Sequence, residues 1–229
     1  MYLLIRFFLL FISITLINFF LTIAYLAAQP TDTLWIEKFE NESSLKDWKP
    51  NKKPNRTSYQ VEQETNNSFL NIRSNCDDNF ILKKIKVDLV EFPFLNWSWR
   101  ARELPKEGNE YFKKSADATG AIYVVLRASR WRPQSIKFTW SSTLEENSEG
   151  KSPFALWPSK SDFIVMESGL ENKDVWVHEK VNVLECYKKL YHKSKVQSKL
   201  IEVIALMTDS DNTKSQANCD YDNVFFTTN

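Results

Sequence analysis

Two histidines and three cysteines in 229 residues leave little material for metal or nucleophile chemistry. His178 and His192 lie in no HExxH pair and beside no nucleophile elbow, so both imidazoles read as structural. Cys76, Cys186 and Cys219 are too few and too scattered for a disulfide scaffold, and their spacing fits no zinc pattern. They permit at most one bridge, and three small buried side chains are the simpler expectation. No phosphate-cradling motif, internal repeat or low-complexity tract is present. Net charge is also missing: once Arg6 is set aside with the N-terminal segment, 29 basic residues face 29 acidic ones. A neutral chain gains no counterion-release energy on a polyanion, which excludes nucleic acid as the main partner. No polybasic cluster adjoins the hydrophobic segment to favour anionic lipid.

What the sequence does contain begins with a charge-free run, Phe7 to Ala28, after a start whose single charge is Arg6. Its length suffices to cross a bilayer core, which takes about 20 residues, and Leu26-Ala27-Ala28-Gln29 offers small residues for cleavage. Residues 1–28 are therefore a signal peptide or an uncleaved anchor. Either reading exports the rest to the periplasm or the cell exterior, since Arg6 holds the N-terminus inside. Membrane contact is expected through this segment alone.

Beyond it, apolar residues recur with period two or in short solid runs bounded by Asn, Asp, Ser and Pro, the pattern of strands. Leu95, Trp97, Trp99 and Ala101 take one face of a strand whose other face carries Asn96, Ser98, Arg100 and Arg102. Phe80 to Leu82, Ile85 to Leu89 and Ile136 to Trp140 alternate similarly, Lys137 and Thr139 lying opposite the apolar positions. Ala121 to Leu126 and Val203 to Met207 are solidly apolar and predict central strands covered on both faces. Leu34 to Phe39, Phe69 to Arg73, Phe163 to Glu167, Val175 to Val181 and Val224 to Thr228 complete the set. One short helix is expected between Val183 and Tyr191, lying across a sheet edge. The sum is an all-β, antiparallel, jelly-roll-like sandwich over residues 34–228, with a long connection from Ser141 to Lys160.

With these strands placed, a set of phrases in order resembles the bacterial family known as domain of unknown function 3047. The phrases are Leu95-Asn96-Trp97-Ser98-Trp99-Arg100, the strand Ile122-Tyr123-Val124-Val125, the strand around Trp140, Asn182-Val183 ahead of Tyr187, and Thr208 to Thr213 followed by Tyr221-Asp222-Asn223-Val224. The resemblance implies kinship without an activity. It also exposes departures: Ala116-Asp117 stands where the family pairs two aspartates, Ala121 where an arginine opens the strand, and Cys186 where an aspartate precedes Tyr187. The C-terminal phrase is similar, more loosely, to the last strand of galactose-binding-like sandwiches, which include carbohydrate-binding modules.

Several residues are candidates for chemistry. Asp209 and Asp211 alternate in one loop with Asp220 in the twelfth position, so a structural calcium site is a candidate against the plainer reading of an Asx-rich turn. An EF-hand is excluded because Lys214 occupies the glycine position. No other cofactor is expected. Trp131 between Arg130 and Arg132, and Trp157 in the long connection, are candidate platforms for a sugar ring, with loop anchoring as the alternative. Arg100 and Arg102 could line a polar binding strip, and Asp117 could join a site. The expected function is a non-catalytic module that binds a polysaccharide or cell-envelope glycan. The alternatives are a carbohydrate-active hydrolase or lyase using Asp117, Asp209, Asp211 or Asp222, and a structural envelope protein.

Overall fold

The computed structural model describes residues 32–126, 133–155, 159–193 and 195–229. The hydrophobic segment 1–28 and the candidates Arg130, Trp131, Arg132 and Trp157 lie outside the described residues. Among those described, no helix is long and apolar enough to cross a membrane. Residues Thr33–Asn229 pack as one unit.

Its strands, numbered in chain order, form two sheets. One runs β11 (Val177–Asn182), β6 (Phe94–Glu103), β13 (Gln216–Thr227), β4 (Asn67–Asn75) and β3 (Thr57–Glu64), with β1 (Thr33–Glu37) also on β13. The other runs β2 (Lys49–Pro50), β5 (Phe80–Asp88), β12 (Leu200–Met207), β7 (Gly120–Leu126), β8 (Gln134–Ser141), β10 (Lys160–Ser168) and β9 (Glu149–Lys151). Pairing is antiparallel, as expected for a sandwich, except that β10 lies parallel to β8. A parallel neighbour needs a crossover rather than a hairpin. The long connection after Ser141 supplies it, and folds β9 back antiparallel onto β10 on the way.

The alternation in β6 sets the core. Leu95, Trp97, Trp99 and Ala101 are buried, and the two indoles meet edge to face at 5.3 Å. Trp97 then packs on Phe138 at 5.7 Å and Trp99 on Trp140 at 5.6 Å, both from β8 of the facing sheet. Tyr221 adds a polar rivet: its hydroxyl donates to the Met207 carbonyl (2.6 Å) and accepts from the Ala121 N–H (3.0 Å). That approach is close enough that a Cβ on Gly120 would lie 2.7 Å from the Cys219 sulfur, so only glycine fits there. The three cysteines are free.

The predicted helix is present as α1 (Val183–Leu190), capped by the Asn182 side chain on the Glu185 N–H. Val183, Tyr187 and Tyr191 form its buried stripe. It follows edge strand β11 and reaches the other sheet, where Tyr187 and Tyr191 donate to the Gln134 side chain and the Ser135 carbonyl. Strand β3, with the polar sequence TSYQVEQE, and the N-terminal half of β13 lie outside the strands that periodicity predicts, because their outer positions are polar.

One inward carboxyl makes the sandwich pH-sensitive. Val177, Glu179 and Val181 all point inward from β11, and Oε1 of Glu179 is buried without a hydrogen-bond partner. Burial, and then the charge of Glu167, push its pKa up to about 7; the Trp99 indole pulls the other way without closing a bond of good geometry. Burial also raises Glu167, against a hydrogen bond from Asn172. Above about pH 4.5 the unfolded chain releases a proton from residue 179 that the folded state keeps until about pH 7. This contribution to stability is therefore present below pH 4.5 and lost as pH rises to 7, by up to about 3 kcal/mol. Glu179→Gln should be more stable than the parent at pH 8 and nearly equal at pH 4.5. Urea midpoints at the two values decide it, and an equal difference at both would remove Glu179 as the cause.

Candidate functional site

The solid apolar runs that predicted central strands are central, but only one of their faces is core. Ile122, Val124, Ile204 and Leu206 point into the sandwich. Tyr123, Val125, Val203, Ala205 and Met207 point the other way and floor a cavity of about 720 Å³ on the outer face of the seven-stranded sheet. Phe80 and Leu82 of β5 extend this floor on one side, and Ser135, Lys137, Ser161 and Phe163 of β8 and β10 extend it on the other. Sequence alone cannot distinguish a second core face from a cleft floor, since both want apolar side chains.

The Leu104–Thr119 connection closes part of this face. It lowers Glu110 onto β8, where Thr139 and Ser141 donate to its two oxygens at 2.9 and 2.6 Å. Lys137 and Thr139, on the face opposite the apolar positions of β8, are buried as a result. Burial lowers the proton affinity of Lys137, but the oxygens of Tyr123, Glu110, Asp209 and Asp117 outweigh it and hold the ammonium above its ordinary range. Lys137 stays charged in the cleft.

At one end of the cleft three carboxylates converge: Asp117, Asp209 and Asp211 each offer an oxygen within 4.8 Å of the others. Asp117 is fully buried and saturated. Its Oδ1 accepts from the Asn212 N–H (3.1 Å) and side-chain amide (2.9 Å), and its Oδ2 from the Thr213 N–H (2.7 Å) and hydroxyl (2.6 Å). Four donors fill the four lone-pair positions of a carboxylate, so Asp117 is the clasp of the 209–213 loop rather than a spare ligand. Asp209 is 5 % exposed, and its Oδ1 has no partner. Burial and the neighbouring Asp117 charge raise its pKa well above the ordinary carboxylate range, against the pull of Lys137. Asp211 is raised too, by burial and by Asp117 and Asp78.

The calcium candidate needs correcting. Asp220 does not join Asp209 and Asp211: it lies on β13 in the other sheet, buried and paired with Arg100 at 2.8 Å. Asp117 takes its place in the cluster, from a distant part of the chain. Its oxygens are spent on the loop, so the donor set does not fit the six to eight oxygen ligands calcium takes.

The polar strip is also differently employed. Arg100 is buried on the outer face of the six-stranded sheet, with Nε on Asp220 (2.8 Å), Nη1 and Nη2 on Glu64 (3.3 and 3.1 Å), and the Trp176 ring 4.5 Å above it. With Nη2 also 2.8 Å from Asp220, four of its five N–H donors are engaged within the protein. Arg102 is more open, 3.4 Å from Asp174. On the same face Ser98 and His178 share a 2.7 Å hydrogen bond. Asp222, whose carboxyl burial pushes up to about 6, pairs with Ser98 from the other side. The serine is the middle member of this row, whereas a hydrolytic triad needs the imidazole there.

Three solved structures illustrate the likeness of the fold. The xyloglucanase domain of NopAA from Sinorhizobium fredii, in complex with cellobiose, is 12% identical with a TM-score of 0.44, covering 77% of this chain and 91% of that one. The family 12 xyloglucanase from Bacillus licheniformis is 9% identical with a TM-score of 0.42, covering 86% and 96%. A carbohydrate-binding module with specific mannan recognition, TmCBM27, is 11% identical with a TM-score of 0.34, covering 86% and 99%. At these values the likeness extends to the two-sheet sandwich and no further. No curated protein matches the chain. The sequence itself is more specific: from residue 45 to residue 225 it matches the model of DUF3047, described as a protein of unknown function, and the chain belongs to that family.

Proposed function

We propose that this chain is an exported glycan-binding protein that takes a polysaccharide in the cleft of the seven-stranded sheet. The cleft itself carries the reading. Its volume falls within the roughly 300–1,000 Å³ of ligand sites, and it has the usual make-up of an apolar floor with a few convergent polar groups. A sugar ring presents an apolar C–H face and a rim of hydroxyls. Tyr123 and Phe80 supply surfaces for the first, and Lys137, Asp211 and Ser161 supply partners for the second. The charge-free run Phe7 to Ala28 supports export.

The test is thermal unfolding of the folded unit with soluble xyloglucan, mannan and cell-envelope polysaccharide. A ligand present at a hundredfold excess over its Kd stabilises the fold by about 2.7 kcal/mol. Val125→Trp, which fills the floor from a half-buried position, should abolish the rise. Arg73→Ala on the other sheet should leave it intact, and EDTA should not change it, since Asp117 spends its oxygens on the 209–213 loop. Binding by Val125→Trp equal to the parent's would place the site elsewhere.

Asp209 favours a second reading. A carboxyl whose proton affinity burial raises inside a cleft is suited to protonate a glycosidic oxygen, as a hydrolase requires, with Asp211 or Glu110 as its partner carboxylate. Release of reducing ends from the same polysaccharides, lost in Asp209→Asn while binding persists, would establish turnover; intact polymer after long incubation leaves the binding module.

A further inference from the structure

The cleft has an aromatic margin that its floor does not account for. Tyr111, Phe112 and Phe154 are 45, 64 and 45 % exposed, although burial would stabilise rings of that size. They come from two loops that adjoin: the Lys113 ammonium lies 5.4 Å from the centre of the Phe154 ring. Tyr111 is held in place. Its hydroxyl donates to the Glu149 carbonyl (3.1 Å), and its ring meets Phe163 edge-on at 5.3 Å. A Cβ on Gly150 would lie 2.7 Å from the ring edge, so the glycine lets the tyrosine approach β9 closely. Phe163 and Phe154 both line the cleft. Tyr111 and Phe154 thus continue the floor outward past β10, with Phe112 next to Tyr111 in the chain.

Direction follows from the sheet. The lining residues come from β5, β12, β7, β8 and β10, five neighbouring strands. Four steps of about 4.8 Å make the floor about 19 Å long, running across the strands. A ligand that fills it emerges over Tyr111 and Phe154. Fixed, half-exposed rings in line with such a cleft suit the repeating apolar faces of a chain, whereas a single sugar would leave them unused.

The geometry points to a further subsite made by Tyr111, Phe112 and Phe154, and so to a ligand that is a glycan chain longer than the cleft, bound along its length rather than by its end. This rests on the glycan-binding reading above. The experiment is calorimetric titration of the chain with β-1,4-linked gluco- and manno-oligosaccharides from dimer to octamer. Affinity should keep rising with length, and Phe112→Ala and Phe154→Ala should each weaken octamer binding roughly tenfold, with Phe112→Ala leaving the dimer unchanged. Phe112 is the most exposed of the three, so its truncation does not threaten the fold. Binding that ignores both length and these substitutions overturns the subsite while leaving the cleft reading intact. Failure of every oligomer to bind the parent chain overturns the glycan reading and the subsite together.

Discussion

Arg100→Ala is expected to lower the free energy of unfolding by about 3–5 kcal/mol, because it strands a buried carboxylate. Asp220 is 1 % exposed. Apart from Arg100 its close partners are the Asn71 amide at 2.5 Å and the more distant Arg102 at 3.9 Å. Burial already pushes its carboxyl up from the ordinary range, against Asn71 and Arg100. Removing the guanidinium also takes the support from under Trp176 and Phe69, which lie 4.5 and 5.1 Å from it. Lysine is a poor replacement, since one ammonium cannot serve Asp220 and both oxygens of Glu64. Urea unfolding at pH 7 measures the loss. The double variant Arg100→Met, Asp220→Leu should recover most of it, because no charge is then left buried. A single-variant cost below about 1 kcal/mol would mean that water reaches Asp220.

Asp117→Asn should cost about 2–4 kcal/mol and disable the polar end of the cleft. The amide keeps the shape but offers one oxygen for four donors, and turns an NH₂ toward groups that themselves donate. The N–H groups of Asn212 and Thr213 and the Thr213 hydroxyl point at this carboxylate. With the clasp opened, the 209–213 loop loses its position and Asp211 and Asn212 leave the cleft lining. The expected result is a lower urea midpoint together with weaker polysaccharide binding. Unchanged binding in a destabilised variant would show that this end of the cleft does not contact the ligand.

How much of this was legible beforehand depends on the range of each interaction. Period-two alternation in Leu95 to Arg102 identified the core face of β6, because strand geometry alone sends neighbouring side chains to opposite sides. The helix at Val183 was equally legible from its 3.6-residue stripe. The parallel placement of β10 was not, since pairing partners are chosen by contacts between distant segments. The candidate cation site shows the same limit. Loop spacing grouped Asp209 and Asp211 with Asp220, but the turn into β13 carries Asp220 to the other sheet, and Asp117 arrives from some ninety residues upstream.

By itself the sequence determined that this is a neutral, strand-built chain with a charge-free apolar start and no familiar catalytic motif, because composition and periodicity are local properties that survive without the fold. Only the tertiary structure decided that the second apolar face of β7 and β12 floors a cleft. It also decided that Arg100 braces the sheet instead of facing a ligand, and that Asp117 clasps a loop. Each of those roles is fixed by which distant side chains close around a residue, and burial of that kind exists only once the two sheets have packed.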